Sequence, residues 1–152
     1  TGAPVRGATC QGYKDDSCWA RGQAWGVYGT AISYRYTKRP EYLDAFRKVL
    51  AYYLDRLPDD LVPYWDMTFT SGDTEPRDSS SASIVACGLL EAAKYVGKEE
   101  AAEYTTLATQ MLGSVAEHYA VKEGPQGIGL VRHGTYSKAP TTPARPRAWT
   151  SA

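Results

Sequence analysis

The strongest constraint on how this chain can fold is an alternation of two helical patterns that occurs twice, about sixty residues apart, longer than tetratricopeptide or ankyrin spacing. From Ala20 to Thr37, Ala24, Tyr28, Ala31 and Ile32 share one face and small residues crowd the others, which predicts a helix packed closely on several sides. Lys38-Arg39-Pro40 breaks it. From Glu41, Leu43, Phe46, Leu50, Tyr53, Leu54 and Leu57 recur with a 3.6-residue period opposite Asp44, Arg47, Lys48 and Asp55, the pattern of an amphipathic helix that Pro58 ends. The first pattern returns from Ser79 to Val96, where Ala82, Ile84, Val85, Ala86, Leu89, Leu90, Ala92 and Ala93 leave little polar face. Gly97 is expected to close that helix as its C-cap. The second pattern returns up to Tyr119, with Tyr104, Leu107, Ala108, Met111, Leu112 and Val115 in period. Gly29 aligns on Gly88, and Tyr36 on Tyr95.

Helices of the first kind need cover on both sides and helices of the second on one. The expected fold is therefore all-α, with helices near 20–37, 41–57, 79–96 and 99–119 in two antiparallel hairpins, the first and third inside. Two hairpins alone leave the flanks of the inner helices bare, so the pattern is that of a section of a larger helical toroid. The composition is that of a globular protein, 43% apolar and 12% aromatic. Lys plus Arg and Asp plus Glu both number 17, so no charge excess points to nucleic acid or to a membrane surface. No apolar run approaches the ~20 residues of a bilayer span, and nothing at the start is laid out as a signal peptide. The chain starts with Thr1 instead of Met, so further residues are expected upstream. Cys10, Cys18 and Cys87 lack a Cys-x-x-Cys pair and a neighbouring His. They read as reduced structural thiols, with neither a metal nor a cofactor expected.

The stretch from Gln11 to Trp25 has a different character, with Trp19, Arg21, Gln23 and Trp25 beside a helix start and almost no aliphatic side chain. Asp16 or Ser17 is expected to cap the helix, which places Arg21 and Trp25 at i and i+4 on one face. An indole offers a flat apolar face to a sugar ring, and a guanidinium fork matches a carboxylate with two parallel bonds. These residues fit an acidic-sugar site. They also fit a core tryptophan pair with Arg21 paired to Asp15 or Asp16, and spacing leaves both open.

Three further regions flank these elements. The connection from Leu61 to Arg77 carries Pro63-Tyr64-Trp65-Asp66, large aromatics that suit a functional rim or a packed flap. Asp78 is read as the N-cap of the third helix. Lys122 to Gly129 reads as a Gly-rich turn before a short extended segment, and His133 in the next loop as a solvated residue more readily than a catalytic one. From Lys138 to Ala152 Pro, Thr, Ala and Arg dominate without period, which predicts a disordered tail.

The run Gln11 to Trp25, with its Arg21-Gly22-Gln23-Ala24-Trp25 core, closely resembles the motif of the unsaturated glucuronyl hydrolases, glycoside hydrolase family 88. Pro63-Tyr64-Trp65-Asp66 and Arg77-Asp78-Ser79-Ser80 extend the likeness, which covers roughly residues 7 to 134. The related unsaturated rhamnogalacturonyl hydrolases usually carry Gly-Asn-Gly-Trp in place of Gly22-Gln23-Ala24-Trp25, so the glucuronyl branch is favoured. The resemblance implies that residues 1–152 are part of an (α/α)6 barrel of six hairpins and that the missing N-terminal part of the same barrel is its partner. It also implies an enzyme that hydrates the C4=C5 double bond of a 4,5-unsaturated uronic acid and so releases it from polysaccharide-lyase oligosaccharides. By the same match, Arg21, Trp25, Gln11 and Trp19 contact substrate, with Gly7 and Thr9 as weaker correspondences. The family's two catalytic aspartates lie upstream of the matched stretch, so no catalytic residue is expected in this chain, which alone is expected to be inactive. A cytoplasmic location is expected over export. Thr141 to Ala152 departs from the family pattern, which continues into a further helix. The competing class is a non-catalytic helical-repeat module that binds a sugar or a peptide.

Overall fold

A computed structural model describes residues 2–3, 5–70, 74–121 and 130–138. Among them are four α-helices, α1 (Ala20–Thr37), α2 (Glu41–Leu54), α3 (Ser79–Ala92) and α4 (Lys98–Ser114), the last running into a π-helical turn at Val115–Tyr119. No β-strand occurs among the described residues, only isolated bridges. The expected Gly-rich turn at 122–129 and the expected disordered tail, from 139 on, lie outside the described residues.

The helices pack in the order α2, α1, α3, α4, so the two small-residue helices meet at the centre and the two amphipathic ones flank them. Small side chains make this possible. Ala20, Ala24, Val27 and Ala31 of α1 are fully buried, as are Ala82, Val85, Ala86, Leu89 and Ala92 of α3. At Gly88 a Cβ would lie 3.1 Å from the Tyr28 Cα, so the two backbones approach as closely as glycine allows. From outside, α2 contributes Leu43, Phe46, Leu50 and Tyr53, and α4 contributes Tyr104, Ala108 and Met111. Burying a side chain such as Phe46 or Met111 stabilises the fold by about 1.5–3 kcal/mol. Ser81 joins three elements in this interior, donating to the Ala20 carbonyl at 3.0 Å and sharing a 3.1 Å bond with the Tyr53 hydroxyl. Burial raises the Tyr53 pKa, which keeps the phenol protonated there.

Several helix ends differ from expectation. The residue preceding α1 is Trp19, not Asp16 or Ser17, and no side chain caps the helix. The Ala20 N–H donates instead to the Trp65 carbonyl at 3.1 Å, while the Ser17 hydroxyl is held by Lys14 and Asp66. α2 stops at Leu54 and α3 at Ala92, short of Leu57 and Val96. Both outlying residues still pack on the core, so the apolar period runs past the helical hydrogen bonds. Gly97 precedes α4 as its N-cap, with an ordinary φ of −64°, and is not the C-cap of α3. The positive φ that ends a helix occurs at Lys38, whose N–H returns to the Tyr34 carbonyl at 2.8 Å. Leu112, expected on the buried face of α4, is exposed.

The long connection between α2 and α3 decides where a site can form. Its residues are bridged to the start of α1 (Trp19 with Asp66), to the start of α3 (Tyr64 with Arg77), and through Asp78 to Gly134. Met67 donates to the Cys18 carbonyl at 2.8 Å, Trp65 to Pro76 at 3.0 Å, and Asp78 to Pro63 at 2.9 Å. Both inner helices therefore begin on one floor of extended backbone, with residues 132–136 at its edge.

Candidate functional site

The loop that carries the aromatic motif is anchored from below by Asp66. This carboxylate is fully buried, although it lies on a connection, because its oxygens are all engaged. Oδ2 accepts the Tyr13 N–H at 2.8 Å and the Ser17 hydroxyl at 2.7 Å, and Oδ1 accepts the Thr68 N–H at 3.0 Å. Gly12 lies directly over this group, and a Cβ there would stand 3.1 Å from Oδ2 and 2.9 Å from the Thr9 hydroxyl oxygen. Tyr13 is thereby turned against the aromatic loop, edge-on to Trp65 and Phe69.

Arg21 projects from the first turn of α1 between the floor and the segment 132–136. Its Nε donates to Asp78 Oδ2 at 3.0 Å and its Nη2 to Asp78 Oδ1 at 2.8 Å. Nη2 also donates to the Gly134 carbonyl at 3.1 Å. Asp78 is fully buried, while 15% of the Arg21 side chain is exposed. Sequence places Asp78 as a cap, and it does precede α3, but its side chain makes no capping bond; both oxygens serve Arg21. The pairing of Arg21 with Asp15 or Asp16 does not form. Those two meet Arg6 and Lys14 at the surface.

Tyr136 closes the group from above. Its ring lies 5.1 Å from the Arg21 guanidinium carbon and 5.1 Å from the Trp19 ring, its carbonyl accepts the Trp19 indole N–H at 2.8 Å, and its hydroxyl accepts from Gln11 Nε2 at 3.1 Å. Three of the residues singled out from sequence, Gln11, Trp19 and Arg21, are thus brought together by a residue that was not. Only the resemblance, which reaches residue 134, came near Tyr136. Trp25 stays apart, half exposed and 6.4 Å from the Tyr28 ring, one turn further along the face of α1 that carries Arg21. Thr9 and Gly7 do not join the cluster. Thr9 accepts the Gly12 N–H at 2.8 Å and donates its own N–H to Asp15, and Gly7 passes close to the Asp15 carbonyl. Gln23 is structural, donating to the Val49 carbonyl of α2 at 2.9 Å.

The remaining titratable groups hold the edges. Glu75 accepts from Lys138 at 2.7 Å and from the Trp65 indole at 2.9 Å, and these bonds lower its pKa. Burial, reinforced by the nearby Asp66 charge, raises the Cys18 pKa, so this thiol stays protonated and is a poor nucleophile. His133 is exposed, sits at φ 57°, and lies edge-on to Tyr119 at 5.6 Å. Its carbonyl accepts the Ser79 N–H at 2.9 Å, so the residue fixes the loop through its backbone. No group of three or more His, Cys, Asp or Glu among the described residues is arranged to hold a metal ion.

No protein-family model matches the chain. An unsaturated chondroitin disaccharide hydrolase of Streptococcus pneumoniae is 45% identical to it over 139 residues, which are 90% of this chain and 35% of that protein. The crystal structure of the unsaturated glucuronyl hydrolase of Bacillus sp. GL1, described as responsible for the degradation of glycosaminoglycan, is similar with a TM-score of 0.82 at 36% identity, covering 90% of this chain and 37% of that one. An Asp-to-Asn variant of the Streptococcus agalactiae unsaturated glucuronyl hydrolase, complexed with dGlcA-GalNAc6S, is similar with a TM-score of 0.77 at 43% identity over the same shares. The chain spans little more than a third of the length of the relatives it matches. Over the shared stretch the chain is similar to the unsaturated glucuronyl hydrolases, and its two helical hairpins correspond to part of an (α/α)6 barrel.

Proposed function

We propose that this chain supplies a substrate-binding wall of a glycoside hydrolase that releases 4,5-unsaturated uronic acid from the oligosaccharides left by polysaccharide lyases. The observation that carries this is the convergence of Gln11, Trp19 and Arg21 under Tyr136, at the start of the two inner helices. Such a group offers a cation, two aromatic faces and an amide, a set that suits a planar, carboxylate-bearing sugar. Relatives that share the fold are unsaturated glucuronyl hydrolases, one of them solved with an unsaturated disaccharide bound. In the proposed reaction a proton is delivered to C4 and water adds at C5, and the resulting hemiketal opens and expels the remaining sugar. Arg21 holds the carboxylate, the aromatic rings hold the plane of the sugar, and Gln11 with Tyr136 takes a hydroxyl. The acid that protonates C4 is not assigned to this chain, because Asp66, Asp78 and Glu75 are committed to Tyr13, Arg21 and Lys138.

The test compares the full-length product of the gene encoding this chain with residues 1–152 alone, following the ultraviolet absorbance of an unsaturated disaccharide. Loss of the double-bond absorbance is expected with the full-length protein. None above buffer rate is expected with residues 1–152, since general acid–base catalysis supplies ~10²–10⁴-fold that binding groups do not replace. A full-length protein without turnover would refute the proposal.

A further inference from the structure

A guanidinium presents one forked edge through Nε and Nη2 and a second edge through its two Nη nitrogens. In this chain the first is fully spent, because Asp78 takes Nε and Nη2 with both oxygens. The second hydrogen of Nη2 goes to the Gly134 carbonyl. What is left is Nη1, for which no hydrogen-bond partner occurs among the described residues, on a guanidinium that lies over the Tyr136 ring. Asp78 cannot swing away to release the fork. It is fully buried, its backbone N–H is tied to Pro63, and its neighbour Ser79 is tied through its N–H and its hydroxyl to His133 and Arg132.

We infer that Asp78 is a positioning residue, which turns Arg21 so that Nη1, and not the Nε–Nη2 fork, meets the carboxylate of the unsaturated uronide. The inference rests on the substrate class proposed above. It has a consequence that charge alone does not produce. Arg21 and Asp78 together are formally neutral, so the site selects the carboxylate by the direction of one donor more than by net positive potential. Neutralising Asp78 therefore opposes two effects. A site governed by net charge would bind the anion more tightly once Arg21 is unbalanced. A site governed by orientation would bind it more weakly, because the guanidinium is free to turn.

The experiment measures KM and kcat for an unsaturated disaccharide with the full-length protein and its Asp78→Asn, Arg21→Lys and doubly substituted variants, with folding followed by circular dichroism. Positioning predicts that Asp78→Asn raises KM by about 10-fold or more with a smaller change in kcat, within the range expected for one bond to a charged group. It also predicts that the double variant is little worse than Arg21→Lys alone, since both act through one interaction. A fall in KM, or losses that multiply, overturns the positioning role while leaving the functional proposal standing. Absence of turnover in the unsubstituted protein overturns both. If Asp78→Asn does not fold, the Arg21 Nε–H signal in ¹⁵N-labelled unsubstituted protein decides: a downfield, slowly exchanging proton sustains the inference and a rapidly exchanging one removes it.

Discussion

At the scale of single residues, the site depends on two buried carboxylates whose roles come from distant partners. Asp66 reaches 53 positions along the chain to the Tyr13 N–H, and Asp78 reaches 57 to Arg21. A local pattern holds no trace of either. Arg21 and Trp19 stood out as a cation and an indole beside a helix start, but spacing left their role open, and it was the family resemblance that marked them, and Gln11 with them, as substrate contacts. Asp78 was legible only as a cap, since an Asp before a small-residue helix satisfies that rule whether or not its side chain makes the bond. Asp66→Ala should lower stability by roughly 1–3 kcal/mol for each donor left unpaired, with Asp66→Asn milder because its carbonyl oxygen still accepts. Urea titration of the two variants checks this. Equal stability of Asp66→Ala and the parent would mean that the Tyr13 and Ser17 bonds do not anchor the motif loop.

The elements show where periodicity informs and where it stops. The existence and kind of all four helices followed from the spacing of apolar residues, as did their inner and outer places. Their ends did not, because Leu57 and Val96 pack against the core from turns and Gly97 serves an extended cap. The π-turn after α4 was also illegible, being visible only in its bonds. It lets Tyr119 donate to Asp60 Oδ2 at 2.6 Å, where Arg77 Nη2 also donates at 2.7 Å. The Tyr119 carbonyl accepts the Arg132 N–H at 2.8 Å, so this cluster holds the segment that delivers Gly134 and Tyr136. Partial burial raises the Asp60 pKa, but the Tyr119 hydroxyl, the Val62 N–H and Arg77 outweigh it and leave the pKa lowered. Burial and the bond to Asp60 raise that of Tyr119. A lowered carboxylate stabilises the fold above its unfolded pKa of about 3.9, and that contribution is lost as pH falls through the folded value. A raised phenol stabilises it below about pH 10, and that contribution is lost as pH rises through its folded value. Tyr119→Phe should therefore cost about 1.5–3 kcal/mol at neutral pH and less at an acid pH below the lowered folded pKa of Asp60, where the carboxylate that accepts this bond has been protonated. Denaturant melts at the two pH values measure this difference. A cost independent of pH would place the effect in packing instead of the Asp60 bond.

For the molecule as a whole, the repeat of inner and outer helices already implied a section of a ring, and the likeness to barrel structures over little more than a third of their length agrees. Trp25 and Tyr36 on α1 and Leu90 on α3 remain exposed, apolar surface on helices that are otherwise built for burial. What sequence did not convey was the floor on which both inner helices begin, because its bridges join three loops. That floor puts Arg21, Trp19, Gln11 and Tyr136 in one place and leaves Trp25 a turn away. The most direct test is the crystal structure of the full-length protein with an unsaturated disaccharide trapped in a slow variant. The uronate carboxylate should lie within hydrogen-bonding distance of Arg21 Nη1, with Asp78 still holding Nε and Nη2 and the sugar beside Trp19 and Tyr136. A disaccharide bound clear of Arg21, Trp19 and Gln11 would contradict the assignment of this chain as the wall that binds substrate.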